Sequence, residues 1–260
     1  DLHSFPTRRS SDLKNTMRTF VIGDIHGGLR ALHQIMERAH VSEKDTLIFL
    51  GDFVDGWSQS PDVLDFLITL KQQQNCIFIR GNHDDLLLKW LCGDHAGFDE
   101  KMWFLHGGEA TALSYQNKDE ATKNKHIQFL KSLQNYYLDD ENRLFIHAGF
   151  TNPRGVTQEF FSPLFYWDRT LWEMVLAMDT ELLKDAISYP NRLKLYKEIY
   201  IGHTPVTKIN ETVPVNKASV WNVDTGAAFK GKLTLMDVET KEFWQSDPLP
   251  DLYPKEKGRN

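Results

Sequence analysis

Aspartate, asparagine and histidine recur beside glycine where apolar runs of this sequence end. The stretch "FVIGDIHGGL" ends its apolar run with Asp24 and His26, and the pattern returns in "LIFLGD", "IFIRGNHD", "LFIHAG" and "IYIGHT". The polar members of these endings are Asp24, His26, Asp52, Asn82, His83, His147 and His203. Carboxylate, imidazole and amide donors gathered together make a nitrogen and oxygen site that suits manganese, iron or zinc. Any one of these residues alone is more simply a turn or a helix cap, so the repetition carries the prediction.

The segments around these residues predict how they are positioned. The apolar runs predict strands, and apolar residues at helical spacing, such as Leu29, Leu32 and Ile35, predict helices between the first three strands. Strand and helix in alternation predict a sheet that is at least partly parallel, with helices packed on it. The predicted strands span residues 18–24, 45–52, 75–84, 142–150 and 198–206, with short β-rich runs over 219–245 and helices over most of 93–135. Because ligands bind at the carboxyl ends of parallel strands, we expect the polar residues to converge there.

Composition limits the class of protein. The chain has 260 residues, of which 41% are hydrophobic, enough for one large globular domain. A net charge of -6 argues against a general binder of nucleic acids or membrane surfaces. The 2 cysteines cannot form a disulfide framework, so we expect reduced thiols and a cytoplasmic protein. No apolar run reaches the roughly 18 residues that a membrane span requires.

The first 16 residues differ from the remainder of the chain. They are polar, lack an apolar period and precede Met17, which lies directly before "RTFVIGD". We interpret residues 1–16 as either a disordered tail or an artefact, and residues 17–260 as one domain.

The motifs resemble a known family. In their order, "GDIHG", "GDFVDG", "RGNHD", "HAGF" and "GHTPV" resemble the calcineurin-like metallophosphoesterases, in particular the small bacterial and phage-type members of the phosphoprotein phosphatase branch. "WNVDTGAAFKGKLTLMDV" resembles the end of the same branch, so the resemblance extends from Arg18 to about Val238. It implies an α/β fold in which two mixed sheets form a β-sandwich flanked by helices, in four layers α/β/β/α.

The resemblance also implies a role for each matching residue. Two divalent ions would be bound, with manganese the first expectation and iron or zinc the alternatives. The metal ligands would be Asp24 and His26 for the first ion, Asp52 bridging both, and Asn82, His147 and His203 for the second, with Asn82 also contacting the substrate phosphate. His83 would be the general acid, held protonated and oriented by Asp55. Hydrolysis would follow in-line attack by a hydroxide held between the two ions.

The sequence departs from the family pattern in several places. The family usually reads "GDxVDRG", with an arginine on the substrate phosphate, whereas Gly56 and Trp57 stand here. Arg169, in "YWDRTLW", is our candidate replacement, and we interpret Arg80 as structural. Trp57 either stacks on an aromatic part of the substrate or, as the default for an aromatic residue, covers the rim of the core.

Two further departures are smaller. Asp84 replaces the usual glutamate of "GNHE", and we expect it behind the site, outside the metal shell. His106, in "WFLHGGEAT", replaces an asparagine; it either lines the substrate pocket or belongs to a glycine-hinged helix start.

These observations favour a phosphatase acting on phosphoserine or phosphothreonine proteins or on small phosphate esters. A symmetrical bis(5'-nucleosyl)-tetraphosphatase is the alternative, since aromatic residues between Phe160 and Trp172 could stack on adenine. A non-catalytic metal-binding scaffold is disfavoured because Asp24, Asn82 and His83 are all present. We expect no nucleic-acid or membrane partner, and nothing in the sequence indicates an oligomeric state.

Overall fold

Two five-stranded mixed sheets form the centre of the computed structural model, which describes residues 17–259. The prediction for residues 1–16 lies outside the described residues. In chain order the strands are β1 (Thr19–Ile22), β2 (Thr46–Phe49), β3 (Asn75–Phe78), β4 (Tyr136–Leu138), β5 (Leu144–Ile146), β6 (Ile199–Ile201), β7 (Val215–Lys217), β8 (Val220–Asn222), β9 (Thr234–Asp237) and β10 (Phe243–Gln245).

Each sheet has a parallel part that leads into the polar turns. The first sheet has the order β10-β9-β1-β2-β3, with β1, β2 and β3 parallel and β9 and β10 antiparallel. The second has the order β4-β5-β6-β8-β7, with β5, β6 and β8 parallel and antiparallel β4 and β7 at its edges. The polar turns therefore come from both sheets.

Helices cover the outer face of each sheet. The α-helices are α1 (Leu29–Arg38), α2 (Ser60–Gln73), α3 (Asn82–Cys92), α4 (Glu100–Trp103), α5 (Glu109–Ser114), α6 (Glu120–Lys131), α7 (Leu164–Trp167), α8 (Thr170–Ala177), α9 (Asn191–Lys194) and α10 (Leu249–Leu252). A kinked turn, Phe104–Gly108, joins α4 to α5, and its backbone is non-helical at His106 and Gly107. Side chains of α1, α2, α3 and α6 share a core with the first sheet, and those of α7, α8 and α9 share one with the second.

Alternation along the strands explains the layers. In β1, Phe20 and Ile22 belong to the core under the helices, whereas Val21 belongs to the core between the sheets. A strand with apolar residues on both faces is buried on both sides. Between the sheets, Phe145 of β5 stacks on Tyr200 of β6 with ring centroids 4.7 Å apart. The predicted α/β fold of two mixed sheets flanked by helices is confirmed.

The third predicted strand was wrong at its end. β3 stops at Phe78, and Asn82 and His83, which were predicted to lie in the strand over 75–84, are the first residues of α3. The carboxylate of Asp84 accepts a hydrogen bond from the Gly81 N–H at 2.8 Å, which caps the new helix. Asn82 and His83 therefore have their directions set by a helix start.

Candidate metal centre

The turn after β1 positions Asp24 and His26. The N–H groups of Ile25 and His26 both donate to the Asp52 carbonyl, at 3.0 and 2.9 Å, which joins this turn to the one after β2. His26 adopts a φ of 52°, a sparsely populated conformation for a residue other than glycine. Its Nε2 lies 3.8 Å from Asp24 Oδ2.

Asp52 occupies the middle of the cluster. Its Oδ2 lies 3.5 Å from His26 Nε2 and 3.4 Å from His147 Nε2, and its Oδ1 accepts the His83 N–H at 2.9 Å. Asp84, beneath it, accepts hydrogen bonds from the N–H groups of Asp52 and Phe53, at 2.9 and 2.8 Å, which fixes the turn that carries Asp52. The structure thus places Asp84 behind the cluster, where it holds backbone.

Asn82, His147 and His203 converge on the other side of Asp52. The Asn82 amide oxygen lies 3.2 Å from His147 Nε2 and 2.9 Å from His203 Nδ1. The His203 N–H donates to Asp24 Oδ2 at 3.0 Å, so the two ends of the cluster also touch. The structure therefore brings together all six residues that the sequence proposed as ligands.

Close approach explains two of the glycines. A Cβ on Gly81 would lie 2.2 Å from Asp52 Oδ1, and a Cβ on Gly202 would lie 2.1 Å from Asp24 Oδ1. Any side chain at either position would displace one of the carboxylates.

The hydrogen bonds of the histidines define their free nitrogens. His26 donates from Nδ1 to the carbonyls of Val54 and Asp55, at 3.1 and 3.0 Å, and His147 donates from Nδ1 to the carbonyl of Leu50 at 2.8 Å. Because carbonyl oxygens only accept, each Nδ1 carries a proton, and each Nε2, once deprotonated, can present a lone pair to the cluster. This tautomer is the one that a metal-ligating imidazole needs.

The charges of the cluster favour a cation. Burial raises the pKa of Asp24, and the nearby charge of Asp224 raises it further. Burial acts to lower the pKa of His147, but the charges of Asp52 and Asp24 overcome this effect and raise that pKa to about 10. Buried carboxylates crowded in this way are stabilised by a positive charge among them.

The donor atoms also fit metal ions. Among the described residues, two groups have donor atoms within 4.8 Å of one another, His26–Asp52–His83 and Asp52–His147–His203, and they share Asp52. Asp24 Oδ1 and His203 Nε2 are buried and make no hydrogen bond within residues 17–259. Two ions sharing one carboxylate are consistent with this donor set.

Beside the cluster, His83 and Asp55 form a buried pair. His83 donates from Nδ1 to Asp55 Oδ2 at 2.7 Å, and Trp103 donates from its indole N–H to the same oxygen at 2.6 Å. Asp55 is itself fixed by its N–H, which donates to the hydroxyls of Ser60 and Thr111, both at 3.1 Å. The pair leaves His83 Nε2 free for a proton transfer.

The other residues singled out from the sequence lie around this centre. Trp57 is fully buried, so the suggestion that it stacks on substrate was wrong and its covering role is confirmed. Arg80 lies 3.4 Å from the Asp85 carboxylate and donates to the Leu130 carbonyl at 3.2 Å, which agrees with a structural role. Arg169 is exposed just before α8.

His106 is exposed within the kinked turn Phe104–Gly108. Burial lowers its pKa, and the positive charges of Arg259, His83 and Arg169 lower it further. His106 therefore lies within electrostatic reach of His83 and belongs to the glycine-hinged turn.

Sequence reasoning missed two residues of this region. Asp224, in "WNVDTG", is buried and close enough to Asp24 to raise its pKa; the aspartate before a glycine turn was the available signal. Trp103 donates to Asp55 across 48 positions of chain, and no local pattern marks that contact.

A two-sheet α/β sandwich with buried Asp, His and Asn donors at the ends of its strands defines a metallophosphoesterase, a hydrolase of phosphate compounds. A family model described as calcineurin-like phosphoesterase matches residues 17–228. The chain belongs to the calcineurin-like phosphoesterase family.

Relatives and solved structures agree with this family. A protein of Anoxybacillus flavithermus named bis(5'-nucleosyl)-tetraphosphatase PrpE (asymmetrical) is 31% identical, over 92% of this chain and 97% of its own length. A Bacillus thuringiensis protein of the same name is 28% identical, over 90% and 96%. The crystal structure of a candidate diadenosine tetraphosphatase has a TM-score of 0.59 at 17% identity, covering 89% of this chain and 94% of that one.

A serine/threonine phosphatase of Saccharomyces cerevisiae, similar to human PP5, has a TM-score of 0.58 at 14% identity and covers 89% of this chain and 80% of that one. At such identities the likeness shows the fold alone. Within residues 17–259, no helix has both the length and the apolar character to cross a membrane.

Proposed function

We propose that this protein hydrolyses dinucleoside tetraphosphates at a phosphoanhydride bond, with a divalent metal pair held by Asp24, His26, Asp52, Asn82, His147 and His203. The observation that carries the phosphate chemistry is the position of Asp52 Oδ2 between His26 Nε2 and His147 Nε2. The substrate class is supported by the relatives named bis(5'-nucleosyl)-tetraphosphatase, which match this chain over nearly their whole length.

The metal pair, for which we propose manganese first and iron or zinc next, would neutralise phosphate oxygens and lower the pKa of water. Asp24 is assigned to the first ion because its Oδ1 is buried without a hydrogen bond in residues 17–259. Asn82 is assigned to the second ion and to the substrate phosphate, because its oxygen faces two histidine nitrogens.

His83 is assigned as the general acid. Since its Nδ1 proton is held by the Asp55 carboxylate, a second proton on Nε2 makes an imidazolium that Asp55 stabilises. His83 would pass the Nε2 proton to the departing oxygen and remain neutral, still bonded to Asp55. Arg169 is assigned to the substrate phosphate from the side of His203.

An exposed aromatic residue beside the centre offers a place for a base. Trp167 is 43% exposed, and its ring centroid lies 6.4 Å from that of His203. An indole beside a metal ligand could stack on adenine while the phosphates reach the ions. We therefore assign to Trp167 the stacking on the substrate base that Trp57, buried in the core, cannot perform.

The second candidate function is the hydrolysis of phosphoserine, phosphothreonine or small phosphate monoesters. The intact His83–Asp55 pair favours it, because an alkoxide leaving group needs a proton far more than a departing phosphate does. For either substrate the cytoplasm remains our proposed compartment, in agreement with two unpaired cysteines.

The test is a substrate panel on protein stripped of metal and reloaded with manganese, iron or zinc. Diadenosine tetraphosphate, a phosphoserine peptide and p-nitrophenyl phosphate are compared by product analysis. A central cut gives two nucleoside diphosphates and an off-centre cut gives a mono- and a triphosphate, so the products separate symmetrical from asymmetrical cleavage.

The variant His83→Asn is run beside the wild type. We expect it to keep its metal content and to lose about 10²- to 10⁴-fold in turnover of esters, with a smaller loss on the anhydride. Equal loss of metal and turnover would contradict the acid assignment. A metal-loaded protein inert toward every compound would refute the proposed function.

A further inference from the structure

We propose that Arg259 binds the substrate phosphate at the His26 edge of the metal centre, an inference that rests on the phosphate chemistry proposed above. Arg259 belongs to a segment that follows α10 and packs against the loop Gly56–Ser58. That loop is where the sequence has glycine and tryptophan in place of an arginine-glycine pair.

The loop holds the segment in place. Ser58 donates from its N–H and its hydroxyl to the Glu256 carboxylate, at 2.9 and 2.7 Å. Trp57 stacks on Tyr253 with ring centroids 5.1 Å apart and donates from its indole N–H to the Ala227 carbonyl at 2.8 Å. The Arg259 N–H donates to the Ala228 carbonyl at 2.8 Å, which fixes the backbone that carries the guanidinium.

Two glycines make room for the Arg259 side chain. A Cβ on Gly107 would lie 2.8 Å from Arg259 Cγ, and one on Gly56 would lie 3.3 Å from Arg259 Cγ and 3.6 Å from His26 Cβ. Both glycines have positive φ, +100° and +111°, which other residues rarely adopt. The absence of a side chain at Gly56 therefore lets the stem of Arg259 pass beside His26.

The guanidinium of Arg259 has no charged partner among residues 17–259. Arg259 forms no ion pair with the residues that the structure describes, and its Nε is buried without a hydrogen bond in the same range. Its Cζ lies 5.2 Å from the centroid of the Phe229 ring, which orients the planar group. A partly buried guanidinium is stabilised by an anion that it can bind through two parallel hydrogen bonds, and a phosphate is such an anion.

Positive charge lies on both sides of the metal centre, with Arg259 acting on His26 and Arg169 acting on His203. The charges of Arg259 and Arg169 both act on His106. Trp167, two residues before Arg169, has its ring beside that of His203, which brings the Arg169 segment next to His203. The two arginines would hold phosphate from the His26 side and the His203 side. A substrate with several phosphates uses both.

The test compares Arg259→Gln with Lys255→Gln, which removes the same charge from an exposed position of the same segment. Binding of inorganic phosphate to the manganese-loaded proteins is measured by calorimetry, together with metal content and kcat/KM. We expect Arg259→Gln to weaken phosphate binding about 10- to 100-fold, with unchanged metal content, and Lys255→Gln to match the wild type. Arg259→Lys keeps the charge but cannot form two parallel hydrogen bonds, so its affinity for phosphate should lie between those of the two glutamine variants.

Two outcomes overturn the proposal. Equal phosphate binding by the two glutamine variants means that Arg259 only anchors the segment. Loss of metal in Arg259→Gln means that the arginine supports the centre and does not bind phosphate. If the wild type hydrolyses no phosphate compound, yet phosphate binding still depends on Arg259, the proposed function fails and this inference stands.

Discussion

Replacement of Trp103 by phenylalanine isolates the support given to Asp55. Trp103 is buried, and its indole N–H donates at 2.6 Å to the same Asp55 oxygen that holds His83. Phenylalanine keeps an aromatic ring in the core but removes that donor. A hydrogen bond to an ionised group contributes about 1.5–3 kcal/mol, and about 1.36 kcal/mol corresponds to a tenfold change in rate. We therefore expect Trp103→Phe to lower kcat about 10- to 100-fold.

Trp90→Phe is the matched control. The Trp90 ring lies 5.4 Å from that of Trp103 in the same aromatic cluster, and its N–H donates at 3.2 Å to exposed Glu100 instead of Asp55. The control shortens an aromatic side chain of the same cluster, one that is only partly buried, and removes a hydrogen bond outside the centre. We expect its kcat to stay within about twofold of the wild type.

The assay uses two phosphate monoesters whose leaving groups differ, phenyl phosphate and p-nitrophenyl phosphate. If Trp103 acts by positioning the acid pair, Trp103→Phe loses more on phenyl phosphate, because phenolate, with a conjugate-acid pKa of about 10, needs the proton more. An equal loss on both esters, or an equal loss in Trp90→Phe, would refute the reasoning. Metal content is measured in parallel and should not change.

Two further predictions concern stability and metal binding. Burial acts to raise the pKa of Asp45, but hydrogen bonds from Arg18 and Ser42 hold that pKa below its ordinary value. The ionised Asp45 carboxylate therefore stabilises the fold above the unfolded pKa of about 4, and this stabilisation is lost as pH falls through the pKa of the folded state. Asp45→Asn should therefore lower the free energy of unfolding by about 1.5–3 kcal/mol at pH 7. Urea titrations should show this difference between variant and wild type shrinking below about pH 4. A difference that stays constant with pH would contradict the prediction. Gly81→Ala should release metal, because its Cβ would lie 2.2 Å from Asp52 Oδ1, and elemental analysis showing a full metal complement would contradict the assigned role of Asp52.

The strand ends could be predicted because each carries its own local signal. An apolar run that closes with glycine and a polar residue contains both the strand and its turn, and "GDIHG" shows this at Asp24 and His26. The grouping followed from the rule that parallel strands present their ends at one edge. Edge strands β4 and β7 were not predicted because neither ends in the glycine-flanked polar turn that marks β5 and β6, although all four strands are 3 residues long.

Contacts between distant parts of the chain could not be predicted. The burial of Trp57 depends on Tyr253 and on Ala227, a hydrogen-bond partner 170 positions away. Periodicity around Trp57 describes only its own turn and says nothing of what will cover it. Arg259 could not be predicted as a site residue for the same reason, since its position depends on the loop Gly56–Ser58, far earlier in the chain.

The hydrogen bond from His203 to Asp24 joins residues 179 positions apart and connects the two sheets. Closing so long a stretch of chain loses much conformational entropy, and contacts of high sequence separation slow the folding of small proteins. The separate turns can form early, whereas the complete set of donors exists only once both sheets have docked. Hydrolytic competence should therefore be acquired late in folding, and refolding followed by activity should lag behind refolding followed by circular dichroism.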